Sequence, residues 1–221
     1  MVPRPNPKVS DRTGLKSPPE DRTLRFRKDG TFHIAVFEDL HFAERTSRSL
    51  RQREGTGVEN VHSNLLPDND KDAKSKKVMS YILAEEDIDF VVLNGDLVSG
   101  EWTLKSNSSK YVLSVISPLV NEGYRWASTY GNHDSETNLD PEEDIFKTET
   151  RYRSSLTQSR VSGPKAGITN YYLPVFSHSA SNTNQPALIL WFFDSKGGHY
   201  HQKNGEGGLS AKRPNWIDGS V

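Results

Sequence analysis

Three short apolar runs, at residues 32–37, 90–93 and 126–129, each end in a loop of polar side chains that can bind a metal ion. The three loops, in chain order, are Glu38-Asp39-Leu40-His41, Asn94-Gly95-Asp96 and Tyr130-Gly131-Asn132-His133-Asp134. Runs of this length and composition predict β-strands. The first run is apolar on both faces apart from His33, which predicts a central strand that is covered on both sides.

Two amphipathic stretches separate these strands and predict helices. Residues 68–86 carry an apolar stripe of Val78, Ile82 and Leu83, and residues 110–120 carry a second stripe that Gly123 closes. The order strand, helix, strand, helix, strand is βαβαβ. Because crossover connections of this kind are right-handed and join neighbouring parallel strands, we expect the three strand ends to meet at one edge of a sheet.

The side chains at that edge are oxygen and imidazole donors, which suit a cluster of two metal ions. An Asp or Asn after a strand is more often a turn residue, and a single His is more often only hydrogen-bonded. The occurrence of all of them in order, each after a strand, favours a metal site. The chain has no cysteine, so any metal must be bound without thiolates and no cysteine can act as nucleophile.

Composition limits the other functional classes. With 221 residues, of which 33% are hydrophobic, the chain can build one domain with a core. The net charge is −1 and the calculated pI is about 6.7, so no overall field attracts nucleic acid or an anionic membrane. Nucleic acid is therefore an unlikely partner, although a local basic patch would not be visible in these totals.

The motifs resemble those of the calcineurin-like metallophosphoesterases. They are Asp39-x-His41, Gly95-Asp96-x-x-x-Gly100 and Gly131-Asn132-His133-Asp134, and the resemblance covers roughly residues 30–221. Residues 90–101 and 190–198 are most similar to the fungal and plant branch akin to purple acid phosphatases. The resemblance implies an α/β fold in which helices flank a sandwich of two sheets (αββα), with the second sheet incomplete here.

The resemblance also implies a role for each residue of the motifs. Asp39 and His41 would hold a first metal ion, Asp96 would bridge two ions and Asn132 would bind the second, while Fe, Mn and Zn suit these ligands alike. His133 would lie beside the leaving oxygen without binding metal, and Asp134 would orient it. The implied activity is hydrolysis of phosphate esters on a phosphorylated small molecule or phosphoprotein. The alternatives are an inactive regulatory or binding fragment and a phosphodiesterase or nuclease with the same metal core.

The sequence Gly198-His199-Tyr200-His201 matches the Gly-His-x-His that supplies the last two ligands in the family. We expect it to be a solvated loop that binds no metal, because a strand-end histidine should precede the true ligand loop. Only His178, in a polar hairpin tip, occurs between Asp134 and His199. On this interpretation the chain is truncated at its C-terminus, which leaves the second metal site incomplete and the activity impaired.

The remaining predictions concern boundaries. Residues 1–24 are rich in proline and charge and predict a disordered tail, and residues 25–221 form the phosphoesterase domain. A long loop is expected at residues 43–64, a helix at 140–154, and strands at 171–176 and 187–193. No signal peptide or transmembrane segment is visible, which favours a cytoplasmic location.

Overall fold

The computed structural model describes residues 22–44, 70–136, 138–161, 166–179 and 185–195, and the backbone pairing of residues 199–204 and 210–212. Its first sheet contains strands β2 (Ile34–Phe37), β3 (Phe90–Asn94) and β4 (Trp126–Thr129). They lie in the order β2-β3-β4 and both pairs are parallel. The predicted βαβαβ arrangement of parallel neighbours is confirmed.

Helices α1 (Asp70–Glu85) and α2 (Ser108–Glu122) connect these strands. Helix α2 buries the predicted apolar face and ends at Gly123, whose φ of 71° places it in the left-handed region that favours glycine. In α1 the prediction was partly wrong, because Met79 and Leu83 are buried whereas Val78 is 57% exposed. The helix therefore packs through a face rotated from the predicted stripe.

The strand β2 differs from its prediction. In the described part of the chain it pairs on one side only, with β3, and Val36 is 55% exposed. The central strand is β3, whose side chains alternate between two cores. Val91 and Leu93 pack with the helices, whereas Phe90 packs against the second sheet.

The second sheet contains β1 (Leu24–Arg25), β5 (Tyr171–Phe176) and β6 (Leu188–Phe192), in the order β1-β5-β6. Strands β5 and β6 are antiparallel, and β1 is parallel to β5. A core shared with the first sheet joins the two layers through Phe90 and Ala127 on one side and five second-sheet residues on the other: Leu24, Tyr171, Leu173, Val175 and Phe192. The mixed α/β fold with two sheets and flanking helices is thus as predicted.

The outer face of β6 is apolar and open in the described residues. Trp191 is 60% exposed, and the neighbouring Phe193 is 56% exposed. Their rings stack with centroids 6.2 Å apart, and Trp191 also contacts Tyr172. An exposed apolar face on this sheet was expected from the sequence.

The boundary of the folded domain lies a little before the predicted one. Leu24 is only 2% exposed and is part of β1, and Arg22 donates a hydrogen bond of 2.6 Å to the carbonyl of Ser155. The assignment of residues 22–24 to a disordered tail was therefore wrong. Residues 1–21 and most of the predicted loop at 43–64 lie outside the described part of the chain.

The helix predicted for residues 140–154 is shorter than expected. Asp140 caps its start by accepting hydrogen bonds from the amides of Glu142 and Glu143, and a π-helical segment (Pro141–Phe146) leads into α3 (Lys147–Glu149). The chain then leaves the helix because its backbone pairs with β4: Trp126 donates to the carbonyl of Ser154 and accepts from the amide of Leu156.

Strands β7 (His199–Asn204) and β8 (Ser210–Lys212) form a separate antiparallel pair. The backbone of His199 and His201 is therefore in a strand, and the prediction of a loop there was wrong. Their side chains lie outside the described residues. Within the described residues, no helix combines the length and apolar character needed to cross a membrane.

Candidate metal centre

The three predicted loops meet at the C-terminal edge of the first sheet, and backbone hydrogen bonds join them. The amide of Asp39 donates to the carbonyl of Gly95 (3.2 Å) and the amide of His41 donates to the carbonyl of Asp96 (3.0 Å). The amide of His133 donates to Oδ1 of Asp96 (2.9 Å). Asp96 therefore contacts both neighbouring loops, in agreement with its place at the end of the central strand.

The side chains at this edge form a compact group of possible ligands. One ligand atom from each of His41, Asp96 and His133 lies within 4.8 Å of the other two, and the two imidazole rings are 4.7 Å apart. Oδ1 of Asp39 lies 3.8 Å from Nε2 of His41, although the Asp39 side chain is 71% exposed. Half-buried Asn132 directly precedes His133 at the same edge.

The backbone at this edge is strained. Asp39, His41 and Asp96 all have φ near +50°, and Ala43, two residues beyond His41, has φ of 75°. They are the four non-glycine residues with positive φ among the described residues. Such conformations cost about 1–3 kcal/mol each and persist where the surrounding structure or the function requires them. Three of the four predicted metal ligands therefore have a backbone geometry that turns alone would rarely use.

The glycine of the third loop lets Asp96 approach. A Cβ atom on Gly131 would lie 2.2 Å from Oδ1 of Asp96 and 2.7 Å from its backbone nitrogen. Such distances are far below van der Waals contact, so any larger residue would displace the carboxylate. The glycine of Gly131-Asn132-His133-Asp134 is thus required by the packing of one loop against the next.

Asp134 does not have the predicted contact. Its Oδ1 accepts hydrogen bonds from the amides of Leu97 and Val98, and its Oδ2 accepts from the amide of Gly131. It is fully buried, and burial raises its pKa to about 7, with the charge of Asp96 acting in the same direction and the three amides opposing it. Asp134 ties the second loop to the third and does not occupy the orienting position beside the His133 ring.

The carboxylate beside that ring belongs to Glu101. Its Oε1 lies 2.7 Å from Nδ1 of His133, and its side chain is only 7% exposed. Sequence reasoning gave Glu101 no role, since it lies five residues beyond Asp96 and 32 residues before His133 along the chain. Its position directly after Gly100, the last residue of the second motif, was the available signal.

Ser99 was also missed. Its Oγ lies 3.0 Å from Nδ1 of His41, and the residue is 1% exposed. This contact leaves Nε2 of His41 as the nitrogen available to a metal ion. A hydrogen-bonded ring nitrogen opposite the coordinating one is the usual arrangement for a metal-binding histidine.

The other histidines of the chain do not join this group in the described residues. His33, predicted to be structural, lies just before β2, where its Nδ1 is 2.8 Å from the carbonyl of Asp87. His178 lies in an exposed turn after β5. His62 and the side chains of His199 and His201 lie outside the described residues.

A cleft of about 680 Å³ opens elsewhere, between β1, β5 and residues 155–160. None of the candidate ligands lines it. The metal-ligand group instead lies at an open sheet edge, where a bulky substrate could approach it.

The sequence has relatives whose names bear on this site. The chain is 26% identical to "Probable inactive purple acid phosphatase 28" of Arabidopsis thaliana over 182 residues, or 78% of this chain and 43% of that protein. It is 28% identical over 185 residues to "Probable inactive purple acid phosphatase 29" of the same plant, with 79% and 43% covered. "Phosphatase DCR2" of Saccharomyces cerevisiae is 25% identical over 177 residues, 78% of this chain and 28% of that protein.

The chain therefore spans less than half the length of the curated relatives it matches. No solved structure shows a significant match. A profile of the calcineurin-like phosphoesterase domain matches residues 32–217, a range that contains all three strand-end loops. On the combined grounds of this match, the two-sheet fold and the convergent loops, the chain belongs to the calcineurin-like phosphoesterase family.

Proposed function

We propose that this chain carries the metal-binding half of a phosphate-ester hydrolase. The observation that supports the proposal best is the convergence of three strand-end loops, which brings ligand atoms of His41, Asp96 and His133 within 4.8 Å of one another. Imidazole nitrogen and carboxylate oxygen are suitable donors for Fe, Mn or Zn. The residues present therefore fit the divalent metals that the family uses.

In this proposal Asp39 and His41 hold the first ion, Asp96 bridges two ions, and Asn132 contributes its amide oxygen to the second. Metal ions at such a site polarise the phosphoryl oxygens and supply a nucleophilic water near neutral pH. The short contacts of Asp96 with both neighbouring loops suit a bridging position. His41, held by Ser99 at Nδ1, offers Nε2.

His133 has a separate role in the proposal. It remains unmetallated and gives a proton to the oxygen of the leaving group. A positioned acid of this kind contributes about 10²–10⁴ in rate. The substrate class is a phosphorylated small molecule or a phosphoprotein, and the open sheet edge suits a substrate that extends away from the protein.

A second candidate function is a protein that binds metal and phosphate without hydrolysis. The names of two relatives, which describe them as probably inactive phosphatases, favour this alternative. The ligand count favours it as well, because Asp96 and Asn132 are the two residues that we assign to the second ion within the described part of the chain. Two ligands are few for tight binding.

Metal analysis together with an ester assay distinguishes the two candidates. After dialysis we expect about one transition-metal ion per chain, and loss of that ion in Asp96→Ala. The wild-type chain loaded with Mn²⁺, Fe²⁺ or Zn²⁺ should then hydrolyse p-nitrophenyl phosphate, and Asp96→Ala should not. Bound metal without turnover would support the non-hydrolytic alternative, and absence of bound metal would contradict both.

The double variant His199→Ala/His201→Ala tests the assignment of the remaining ligands. We expect its metal content to equal that of the wild type, because these histidines are not ligands in our proposal. Two tightly held ions in the wild type, one of which is lost in the double variant, would show instead that His199 and His201 complete the second site.

A further inference from the structure

One buried carboxylate touches the proposed leaving-group acid directly. Oε1 of Glu101 lies 2.7 Å from Nδ1 of His133, and both side chains are largely buried, at 7% and 16% exposure. We propose that Glu101 is the positioning residue of His133: it accepts the Nδ1 proton and so leaves Nε2 as the nitrogen that faces the reaction. This inference rests on the proposed function, because it names the residue that prepares the acid of that site.

The second oxygen of Glu101 indicates that the residue is not present to complete a structural network. Oε2 is buried and has no hydrogen-bond partner among the described residues. Buried polar atoms are nearly always hydrogen-bonded, so an exception calls for an explanation in function. The one side chain with which Glu101 makes a hydrogen bond or ion pair in the described chain is the imidazole of His133.

The local backbone is built to bring Glu101 to this position. Glu101 lies in a 3₁₀ turn (Gly100–Trp102) that packs against a second 3₁₀ turn (His133–Ser135). A Cβ atom on Gly100 would lie 2.3 Å from the carbonyl oxygen of Glu136 and 2.9 Å from that of His133. Only glycine permits this approach, which places the glutamate beside the ring.

The contact decides which nitrogen of His133 can serve the reaction. In an imidazole, the hydrogen bond made by one nitrogen sets the protonation of the other. With the Nδ1 proton held by Glu101, the Nε2–H bond of the charged ring breaks as an O–H bond forms on the leaving group. The ring is then left neutral with its proton on Nδ1, and the carboxylate keeps it in place for the next turnover.

The tautomer can be measured without any activity. We would label the full-length chain with ¹⁵N-histidine, load it with diamagnetic Zn²⁺, and record long-range ¹H–¹⁵N spectra at a pH where the ring is neutral. The variant His133→Ala identifies the signals. We expect His133 to carry its proton on Nδ1 in the wild type, and to lose this preference in Glu101→Ala.

Two further variants separate positioning from folding. Glu101→Gln keeps an acceptor oxygen at the same reach and should retain most of the Nδ1–H tautomer. Glu149→Gln alters another buried glutamate, which contacts Tyr130 and not His133, and should leave the tautomer unchanged. Because Glu101 has an unpartnered oxygen, Glu101→Ala should not lower the unfolding temperature. A lower unfolding temperature with an unchanged tautomer would overturn the proposal in favour of a structural role.

Kinetics supply the second readout. Glu101→Ala should lower kcat for an alkyl phosphate about ten- to hundredfold at unchanged KM, because a misplaced acid loses its geometry. It should affect p-nitrophenyl phosphate little, since that leaving group needs no proton. Equal losses on both esters would contradict the proposal. If the chain hydrolyses neither ester, the proposed function fails, whereas the tautomer measurement still decides the role of Glu101.

Discussion

Two buried glutamates in neighbouring regions of the molecule have opposite surroundings. Glu149, beneath β4, accepts hydrogen bonds from Trp126, Ser128, Tyr130 and Thr157. Glu101, at the sheet edge, has His133 beside one oxygen and nothing beside the other in the described chain. Burial raises the pKa of Glu149, and its four donors oppose that rise.

The difference distinguishes an acid that stabilises the fold from one that prepares a site. A carboxylate surrounded by donors ties several elements together, here β4, α3 and the segment that follows α3. A carboxylate with one partner contributes little to folding but fixes the position of that partner. The strained backbone of Asp39, His41 and Asp96 belongs to the same edge as Glu101. Stability is thus concentrated under the sheet, and strain is concentrated at its edge.

The largest effect should come from Glu149→Ala. The substitution leaves the buried donors of Trp126, Ser128, Tyr130 and Thr157 without their acceptor, and hydrogen bonds to charged groups are individually strong. We expect the free energy of unfolding to fall by about 3 kcal/mol, measured by urea denaturation. Glu101→Ala is the matched comparison, and an equal loss in that variant would remove the contrast between the two glutamates.

The next effect concerns the edge alone. Gly131→Ala should weaken metal binding about 10–100-fold, because the new methyl group would displace the carboxylate of Asp96. Gly30→Ala is the control, since its methyl group would enter open space while its φ of +83° makes the backbone comparably unfavourable. Titration with Zn²⁺ measures both. Unchanged affinity in Gly131→Ala would mean that Asp96 is not a ligand.

A smaller effect is the pH dependence of the Glu149 network. The pKa of Glu149 is raised in the folded state above its ordinary value of 4.5, so on raising the pH the unfolded chain loses this proton first. The wild type should therefore lose stability relative to Glu149→Gln as the pH rises above about 4.5, and the difference should level off above the folded pKa. Urea denaturation of both proteins across this range measures it. A difference that grows in favour of the wild type at higher pH would show that the pKa is lowered.

The smallest effect should come from a polar pair at the same edge that lies outside the ligand group. Asn94 donates an exposed hydrogen bond of 2.8 Å to Glu38. Asn94→Ala should change the free energy of unfolding by about 0.5 kcal/mol or less, as exposed substitutions usually do, and should leave zinc affinity unaltered. A marked loss of zinc would extend the metal site beyond the predicted residues.

Much of the architecture followed from sequence patterns. Apolar runs with polar ends predicted three parallel strands whose C-terminal edge collects Asp39, His41, Asp96 and His133, because crossover handedness leaves few other arrangements. Gly123 predicted the end of α2, since a left-handed residue is needed there. The metal-binding and catalytic roles of the edge residues remain predictions.

The tertiary structure decided what local patterns could not express. The sequence suggested Asp134 as the partner of His133 because the two are adjacent, but a 3₁₀ turn directs the Asp134 carboxylate to three buried amides. Glu101 reaches the ring from another loop, through a close approach that Gly100 allows. Likewise the exposure of Val36 and the pairing of residues 154–156 with β4 depend on neighbours that are distant in the chain. Sequence periodicity determined which residues lie at the edge, whereas packing between loops determined which of them touch.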